Sequence, residues 1–243
     1  MHYIYGVILC AFMPVIQAAS LLVDDDGFAS GNFSVGGTEL IQMTGYLNNE
    51  FDSISHGGLT SLSTMLQYDA IWLGARGNIP MTALEIANMT AYIDTGRRVL
   101  LQAENATYFG SWNQSISQLV DGSVSSTVST AGVTFYAQDT HVLTRWIEKP
   151  IAVGGAGKID SYGTGTALFD GPIGGVWGDN ILLMTDLNIF ADNSIDFETR
   201  DNGQFSRNVA GWLATGTVVP VPAAAWLFGS ALAALGWLRK RIR

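Results

Sequence analysis

Cysteine is nearly absent from this sequence: Cys10 is its single cysteine among 243 residues. It lies in an apolar segment near the start of the chain, which we interpret below as a removable signal. The rest of the chain therefore has no disulfide, no thiolate nucleophile and no metal site built from thiolates, whatever the redox compartment. These absences exclude a disulfide scaffold and a cysteine-dependent enzyme.

Positive charge is also scarce, and it is unevenly placed. Only 14% of the residues are charged, and four of the 12 Lys and Arg residues lie in the last five positions. All 21 Asp and Glu residues lie between Asp24 and Asp201, so the body of the chain is strongly acidic. Nucleic-acid binding depends on Lys and Arg to displace counterions. We therefore expect no nucleic acid among the partners.

The first apolar concentration, residues 3–16, has the length of a signal peptide and is short for a bilayer span. The small residues Ala18, Ala19 and Ser20 follow it and suit a signal peptidase. We predict a signal peptide over 1–19, which implies export. The alternative is that this segment is a buried first strand.

A second apolar segment, 223–238, lies between a Val-Pro-Val-Pro sequence and a basic cluster. As a helix it would be about 24 Å long, enough for a thin bilayer, with the basic cluster held on the cytoplasmic side. We predict a sorting segment over 218–243 with a transmembrane helix at 223–238. The residues of its motif are Val219, Pro220, Val221, Pro222, Arg239, Lys240, Arg241 and Arg243.

This order of proline pair, apolar helix and basic end resembles the PEP-CTERM sorting signal of Gram-negative bacteria, in a valine-proline variant of the name-giving Pro-Glu-Pro. The resemblance implies export, transient anchoring in the inner membrane, recognition by an exosortase and removal of the tail. It further implies delivery to the cell surface or the exopolysaccharide matrix, with extracellular polysaccharide as a possible partner.

The body, residues 20–217, has the alternation of strand and helix patterns that predicts one α/β domain. Short apolar runs predict strands, and apolar residues three or four positions apart predict helices. From residue 122 onward short β-rich pieces separated by glycines form an insertion. Strands are predicted at 21–23, 51–54, 68–73, 99–101 and 181–184, and helices at 36–51, 80–95, 112–119 and 202–213. This order favours a mostly parallel sheet with helices on both faces.

Several segments of this body resemble the class I glutamine-amidotransferase-like fold, which is flavodoxin-like. They are Leu22-Val23-Asp24-Asp25-Asp26, residues 68–72, 141–144 and 183–190, and the closing stretch 201–213. The closing stretch is similar to non-catalytic members. The catalytic members place a cysteine after the strand that corresponds to 99–101, where this chain has Gln102-Ala103-Glu104. The resemblance therefore implies a module without amidotransferase activity.

Polar residues follow several predicted strands, where ligands bind in parallel sheets. Asp24, Asp25 and Asp26 follow the first strand and could hold a hard cation, although their spacing differs from a calcium loop and a solvated capping loop is the alternative. Arg76 could bind a carboxylate or sugar hydroxyls, or pair with a neighbouring acid. Glu104 and Asp186 would complete an acidic pocket. The speculative ligand-binding residues are thus Asp24, Asp25, Asp26, Arg76, Glu104 and Asp186.

The function that we predict is an exported, surface-directed, non-catalytic binding or structural module without a cofactor. The competing hypothesis is a metal-dependent hydrolase that uses the acidic pocket. Exposed aromatic residues among Trp112, Trp146 and Trp177 would favour binding to sugar rings. The histidines of the body, His56 and His141, have no placed partner that would make either a general base.

Overall fold

A seven-stranded sheet forms the centre of the computed structural model, which describes residues 19–24, 31–128, 132–138, 141–195 and 199–216. Except for Ala19, the predicted signal peptide lies outside these residues, as does the predicted sorting segment 218–243. Asp25 and Asp26 also lie outside them. The structure therefore describes the predicted α/β domain.

Five neighbouring strands of the sheet are parallel, and two antiparallel strands extend one side. The order across the sheet is β2-β1-β3-β4-β11-β10-β9. Two small antiparallel pairs, β5 with β8 and β6 with β7, form the insertion predicted in the second half. The strands are β1 Ser20–Asp24, β2 Ser53–His56, β3 Ala70–Leu73, β4 Arg98–Gln102, β5 Ser123–Thr127, β6 Thr134–Phe135, β7 Ile151–Ala152, β8 Gly157–Ser161, β9 Thr166–Ala167, β10 Gly174–Trp177 and β11 Ile181–Met184.

Helices cover both faces of this sheet, as predicted. On one face α1 and α6 pack on strand residues such as Val23 and Trp72, and on the other α2, α3 and α4 pack on neighbours such as Leu22 and Ile71. Successive strand residues point to opposite faces, so two hydrophobic layers arise from one continuously apolar strand. The helices are α1 Ile41–Glu50, α2 Leu62–Met65, α3 Ala83–Ile93, α4 Ala106–Ser117, α5 Asp192–Ile195 and α6 Asn202–Thr215. Among the described residues no helix is both long and apolar enough to cross a membrane.

Two helices begin later than predicted, one because of a local contact and one because of a distant contact. The helix predicted from 80 begins at Ala83, because Thr82 and Glu85 form a capping box that fixes its first turn. The helix predicted from 36 begins at Ile41, where Asp192 accepts hydrogen bonds from the amides of Ile41 and Gln42. Asp192 is distant from α1 in the sequence, and local periodicity carries no signal for such a contact.

The last described helix ends at a glycine. Gly216 follows α6 with φ 72°, and its amide donates to the carbonyl of Trp212. Glycine is favoured at this left-handed position after a helix because it has no Cβ. Helix α6 therefore ends just before the position where the sorting segment is predicted to start.

Candidate functional site

Four predicted site residues lie at the carboxyl ends of adjacent parallel strands. Asp24 ends β1, Arg76 follows β3, Glu104 follows β4 and Asp186 follows β11, and these strands are neighbours in the order β1-β3-β4-β11. We call Asp24, Arg76, Glu85, Glu104 and Asp186 the strand-end cluster. The expectation that Asp186 shares an edge with the other residues is confirmed, since β11 is parallel to β4 and central.

Arg76 is buried and contacts two carboxylates. Its Nη2 donates to Oδ2 of Asp24, and its Nη1 donates to Oε1 of Glu85 at 2.6 Å. Its guanidinium also lies over the ring of Trp112, with Cζ 5.6 Å from the ring centroid. Of the two roles considered for Arg76, the structure shows pairing with acids. Glu85 was not predicted as a site residue, because its sequence pattern indicated only a position on a helix. It nevertheless lies only nine positions from Arg76 in the sequence.

The acids hold Arg76 in its charged form. Burial lowers the pKa of Arg76, but the charge of Asp24 and the hydrogen bonds to Glu85 and Asp24 outweigh burial, so the pKa is raised above its ordinary value. Burial raises the pKa of Glu85. The hydrogen bonds from Thr82 and Arg76 lower this pKa by more than burial raises it, so the net shift is downward. Arg76 and Glu85 are thus ionised inside the protein, where removal of one partner leaves an uncompensated charge.

Glu104 and Asp186 form the second part of the strand-end cluster, and backbone amides bind both carboxylates. Glu104 Oε1 accepts from the amide of Leu187 at 2.6 Å, and Oε2 accepts from that of Asn105 at 3.3 Å. Asp186 Oδ1 accepts from the amide and side chain of Asn188, both at 2.9 Å, and Oδ2 accepts from the amide of Gly154. These contacts join β4, β11 and the inserted segment after β7.

The environment of these two acids favours their neutral forms. Burial raises the pKa of Glu104 well above its ordinary value, and the charge of Asp186 raises it further, despite the two backbone hydrogen bonds. Burial also raises the pKa of Asp186, against the hydrogen bonds from Gly154 and Asn188. Perturbed carboxyl groups of this kind occur at functional sites and in structural networks alike.

Some buried polar atoms at this edge have no hydrogen-bond partner within the described residues. They belong to three side chains near the ends of β3 and β4. Buried polar atoms usually bond to protein, water or a ligand. The atoms are Arg76 Nε, Gln102 Oε1 and Asn105 Oδ1. Gln102 was not predicted as a site residue, because a polar residue at the end of an apolar run does not by itself indicate a functional site.

Within the part of the chain that the structure describes, no group of three or more His, Cys, Asp and Glu side chains could hold a metal ion. Asp24 pairs with Arg76, while Asp25 and Asp26 lie outside the described residues. A ligand-binding role for the six predicted residues stays a prediction.

The tryptophans that were considered for sugar binding differ in exposure. Trp112 is fully buried and donates from Nε1 to the carbonyl of Gln102, and Trp177 is 4% exposed. Trp146 is 46% exposed. His141 caps a short 3-10 turn through Nδ1, which accepts from the amide of Leu143 at 3.3 Å. Of the three tryptophans, Trp146 is thus the one available to a ligand.

A scan against protein-family models finds no match for the chain, and a search of curated proteins finds none. Solved structures are similar to it. The mmIFT52 N-terminal domain is 13% identical with a TM-score of 0.66, and 83% of this chain aligns with 100% of that chain. A protein from Thermoplasma acidophilum that is described as a GMP synthase subunit is 14% identical with a TM-score of 0.54, covering 82% and 96% of the two chains.

A third similar structure is described as a ThuA-like protein from Bacteroides uniformis, with 11% identity, a TM-score of 0.53 and coverage of 81% and 91%. At these identities the likeness concerns the fold alone. It supports the glutamine-amidotransferase-like fold. In this chain β4 ends at Gln102, and Ala103, Glu104 and Asn105 connect it to α4; none of these residues has a thiol that could attack an amide.

Proposed function

We propose that this chain is an exported, non-catalytic binding module that a C-terminal sorting signal delivers to the surface of a Gram-negative bacterium. Its destination is the cell surface or the exopolysaccharide matrix, after transient anchoring in the inner membrane. Its partners on the way are the exosortase and that membrane. Extracellular polysaccharide is the ligand class that suits this destination.

The observation that carries the proposal is the pattern of the C-terminal segment, which differs from the pattern of the body. Helix α6 ends at its cap, Gly216, and the Val-Pro-Val-Pro sequence begins shortly afterwards at Val219. An apolar segment and a basic cluster follow it, in the order of the sorting signal that this sequence resembles. The tail then directs the protein to its destination.

The strand-end cluster supports the non-catalytic part of the proposal. Arg76 is bound by two acids, and Glu104 and Asp186 each accept backbone amides, so these groups already serve to join strands and loops. A general base or nucleophile must instead have a lone pair directed at substrate. The residues that would be candidates for catalysis in this fold are engaged inside it.

Intact-mass measurement tests the proposal. The protein is recovered from the envelope and medium of its own host, with and without the exosortase. We expect loss of the residues after about position 219 only when the exosortase is present. A tail that is retained in both strains would contradict the sorting function.

A motif variant makes the same experiment specific. Replacement of both Pro220 and Pro222 by alanine should leave the tail uncut, because the proline motif is the element that the enzyme recognises. The matched control is Pro80→Ala, an exposed proline in the loop before α3, which should be processed like the original protein.

A further inference from the structure

A groove outside the strand-end cluster gathers much of the positive charge of the body. It lies between α1, the loop before β7 and the start of α6, and its volume is about 420 Å³. Small-molecule sites are usually ~300–1,000 Å³. We call this the cationic groove, defined by Gln42, Tyr46, Trp146, Lys149, Arg200, Gln204 and Arg207.

The charge of this groove contrasts with the rest of the protein. Eight Lys and Arg residues lie in the body of the chain, and Lys149, Arg200 and Arg207 line this one groove. Asp201 is its acidic lining residue, and one oxygen of Asp201 accepts from the amides of Glu148 and Lys149, both at 2.7 Å. Of the three cations, Arg207 is the one whose contacts are described below, and an exposed cation attracts anionic groups.

Trp146 has a backbone conformation that is unfavourable for its side chain. Its φ is 59°, in the left-handed region, where a bulky residue is an outlier at a cost of about 1–2 kcal/mol. Such strain persists when the surroundings enforce it, and it concentrates at binding sites. The indole remains 46% exposed, so burial of the ring does not account for the conformation.

Contacts on both sides of Trp146 hold this conformation. Asn208 on α6 donates to the carbonyls of Leu143 and Arg145, at 2.9 and 2.8 Å, just before Trp146. Asp201 binds the amides of Glu148 and Lys149, which follow Trp146 in the loop. The loop is therefore fixed to α6, and the exposed ring is presented in one orientation at the groove.

Arg207 is oriented by the same helix, and its partners are neutral. Asn208 accepts from Gln204 at 2.8 Å, and Gln204 accepts from Arg207 Nη2 at 3.2 Å. Nη1 of Arg207 donates to the hydroxyl of Tyr46 at 3.1 Å, and Cζ lies 5.3 Å from the centre of that ring. The guanidinium is exposed, so a ligand in the groove can reach it.

We propose that the cationic groove binds an acidic polysaccharide, with Trp146 stacking on a sugar ring and Arg207 pairing with a uronate carboxylate. The flat indole matches the C–H face of a pyranose, and Arg binds carboxylates through paired N–H groups. The amide side chains of Gln42 and Gln204 match sugar hydroxyls. An acidic peptide is the competing ligand, since arginine clusters also recognise acidic peptide motifs, and the exposed ring of Trp146 favours the sugar. This inference rests on the proposed surface-binding function.

The test is calorimetric titration of the full chain in detergent micelles with hexagalacturonate. Cellohexaose, which is neutral, and hexaglutamate, which is an acidic peptide, serve as comparison ligands. We expect binding of hexagalacturonate that weakens with added salt, and at least about tenfold weaker binding of the two others. Equal binding of cellohexaose or of hexaglutamate would overturn the acidic-sugar assignment.

Variants locate the binding. Arg207→Gln and Trp146→Ala should each lower the affinity for hexagalacturonate about tenfold or more, the loss expected for one charged contact or one central aromatic ring. Arg97→Gln is the matched control, since Arg97 lies 5.8 Å over the ring of Tyr92 outside the groove. It should bind within about twofold of the original protein.

Failure of this inference is distinguishable from failure of the sorting proposal. A protein that loses its tail through the exosortase but does not bind hexagalacturonate overturns the groove assignment alone. Unchanged affinity in the folded Arg207→Gln variant, verified by its melting temperature, also overturns it. A retained tail together with specific binding overturns the sorting proposal instead.

Discussion

Arg76 and Arg207 both lie over an aromatic ring, but their charges are used differently. Arg76 is 8% exposed, lies over Trp112 and contacts the carboxylates of Asp24 and Glu85. Arg207 is exposed, lies over Tyr46 and contacts neutral oxygens. The same side chain thus neutralises buried acids in the strand-end cluster and presents a charge to solvent in the cationic groove.

The comparison teaches that buried polar residues at the strand ends and exposed polar residues elsewhere can have different roles. The strand ends of a parallel sheet are the first place to look because ligands often bind there. In this protein their charged groups are paired or bonded to the backbone, which stabilises the fold. The strained tryptophan and the exposed arginine lie in a loop and on a helix elsewhere. The predictions that follow test this division of roles.

The largest effect is expected for Arg76→Met, which removes the cation from between two buried acids. Loss of one partner of a buried ion pair costs about 3–5 kcal/mol, because the remaining charges are uncompensated. The free energy of unfolding in urea measures the loss. Arg207→Met should cost less than about 1 kcal/mol, as is usual at the surface. Similar losses for both variants would contradict the comparison.

An intermediate effect is expected from the pH dependence of Glu104. Because its pKa is raised in the folded protein, the folded form holds a proton that the unfolded chain releases above about its ordinary value of 4.5. Its contribution to stability is present below that pH and is lost as the pH rises through the folded pKa. Glu104→Gln should therefore flatten the decline in unfolding free energy above that pH.

Asp160 provides a control, because its pKa shift has the opposite direction to that of Glu104. Burial raises its pKa, but the hydrogen bonds from Ser125 and Ser126 and the charge of Lys158 together outweigh burial and lower the pKa below the ordinary value of 3.8. Its stabilisation is present above that value and is lost as the pH falls through the folded pKa. Asp160→Asn should alter the acid side of the profile alone. If Glu104→Gln leaves the pH dependence of the unfolding free energy unchanged above pH 4.5, the assignment of Glu104 as a buried acid with a raised pKa is wrong.

The smallest effect concerns the strain at Trp146. Trp146→Gly and Trp146→Ala both remove the indole, but only alanine retains a Cβ in the left-handed conformation. The glycine variant should be the more stable by about 1 kcal/mol, measured from urea unfolding. At Ala87, an exposed position inside α3, Ala87→Gly should instead lower stability by about 1 kcal/mol. If the alanine form is more stable than the glycine form at both positions, the backbone of Trp146 is unstrained.

Much of the fold could be predicted from the sequence, because local patterns determine it. The strand Ile181–Met184 was predicted with its observed bounds, and the last helix from Asn202 extends to Thr215, slightly beyond the predicted end. The parallel sheet, the helices on both faces and the β-rich insertion were also predicted correctly. Apolar runs and helical periodicity carry this information over short distances.

The sites were harder to predict, because they depend on contacts between distant positions. Arg76 reaches Asp24 across 52 positions, and Arg207 reaches Tyr46 across 161. Nothing in the local sequence of Trp146 indicates a left-handed backbone, which Asn208 helps to impose from α6. The sheet edge at which the polar residues lie could be predicted from the direction of the strands. The contacts that these residues make with one another could not.

Hydrogen exchange of the full chain with and without hexagalacturonate tests the central claim most directly. We expect slower exchange in the loop 143–149 and in the first turns of α6, where Trp146, Gln204 and Arg207 would contact the sugar. Amides at the ends of β3 and β4, near Arg76 and Gln102, should exchange at unchanged rates. Protection at those strand ends without protection around Trp146 would contradict the account, since the ligand would then occupy the strand-end cluster.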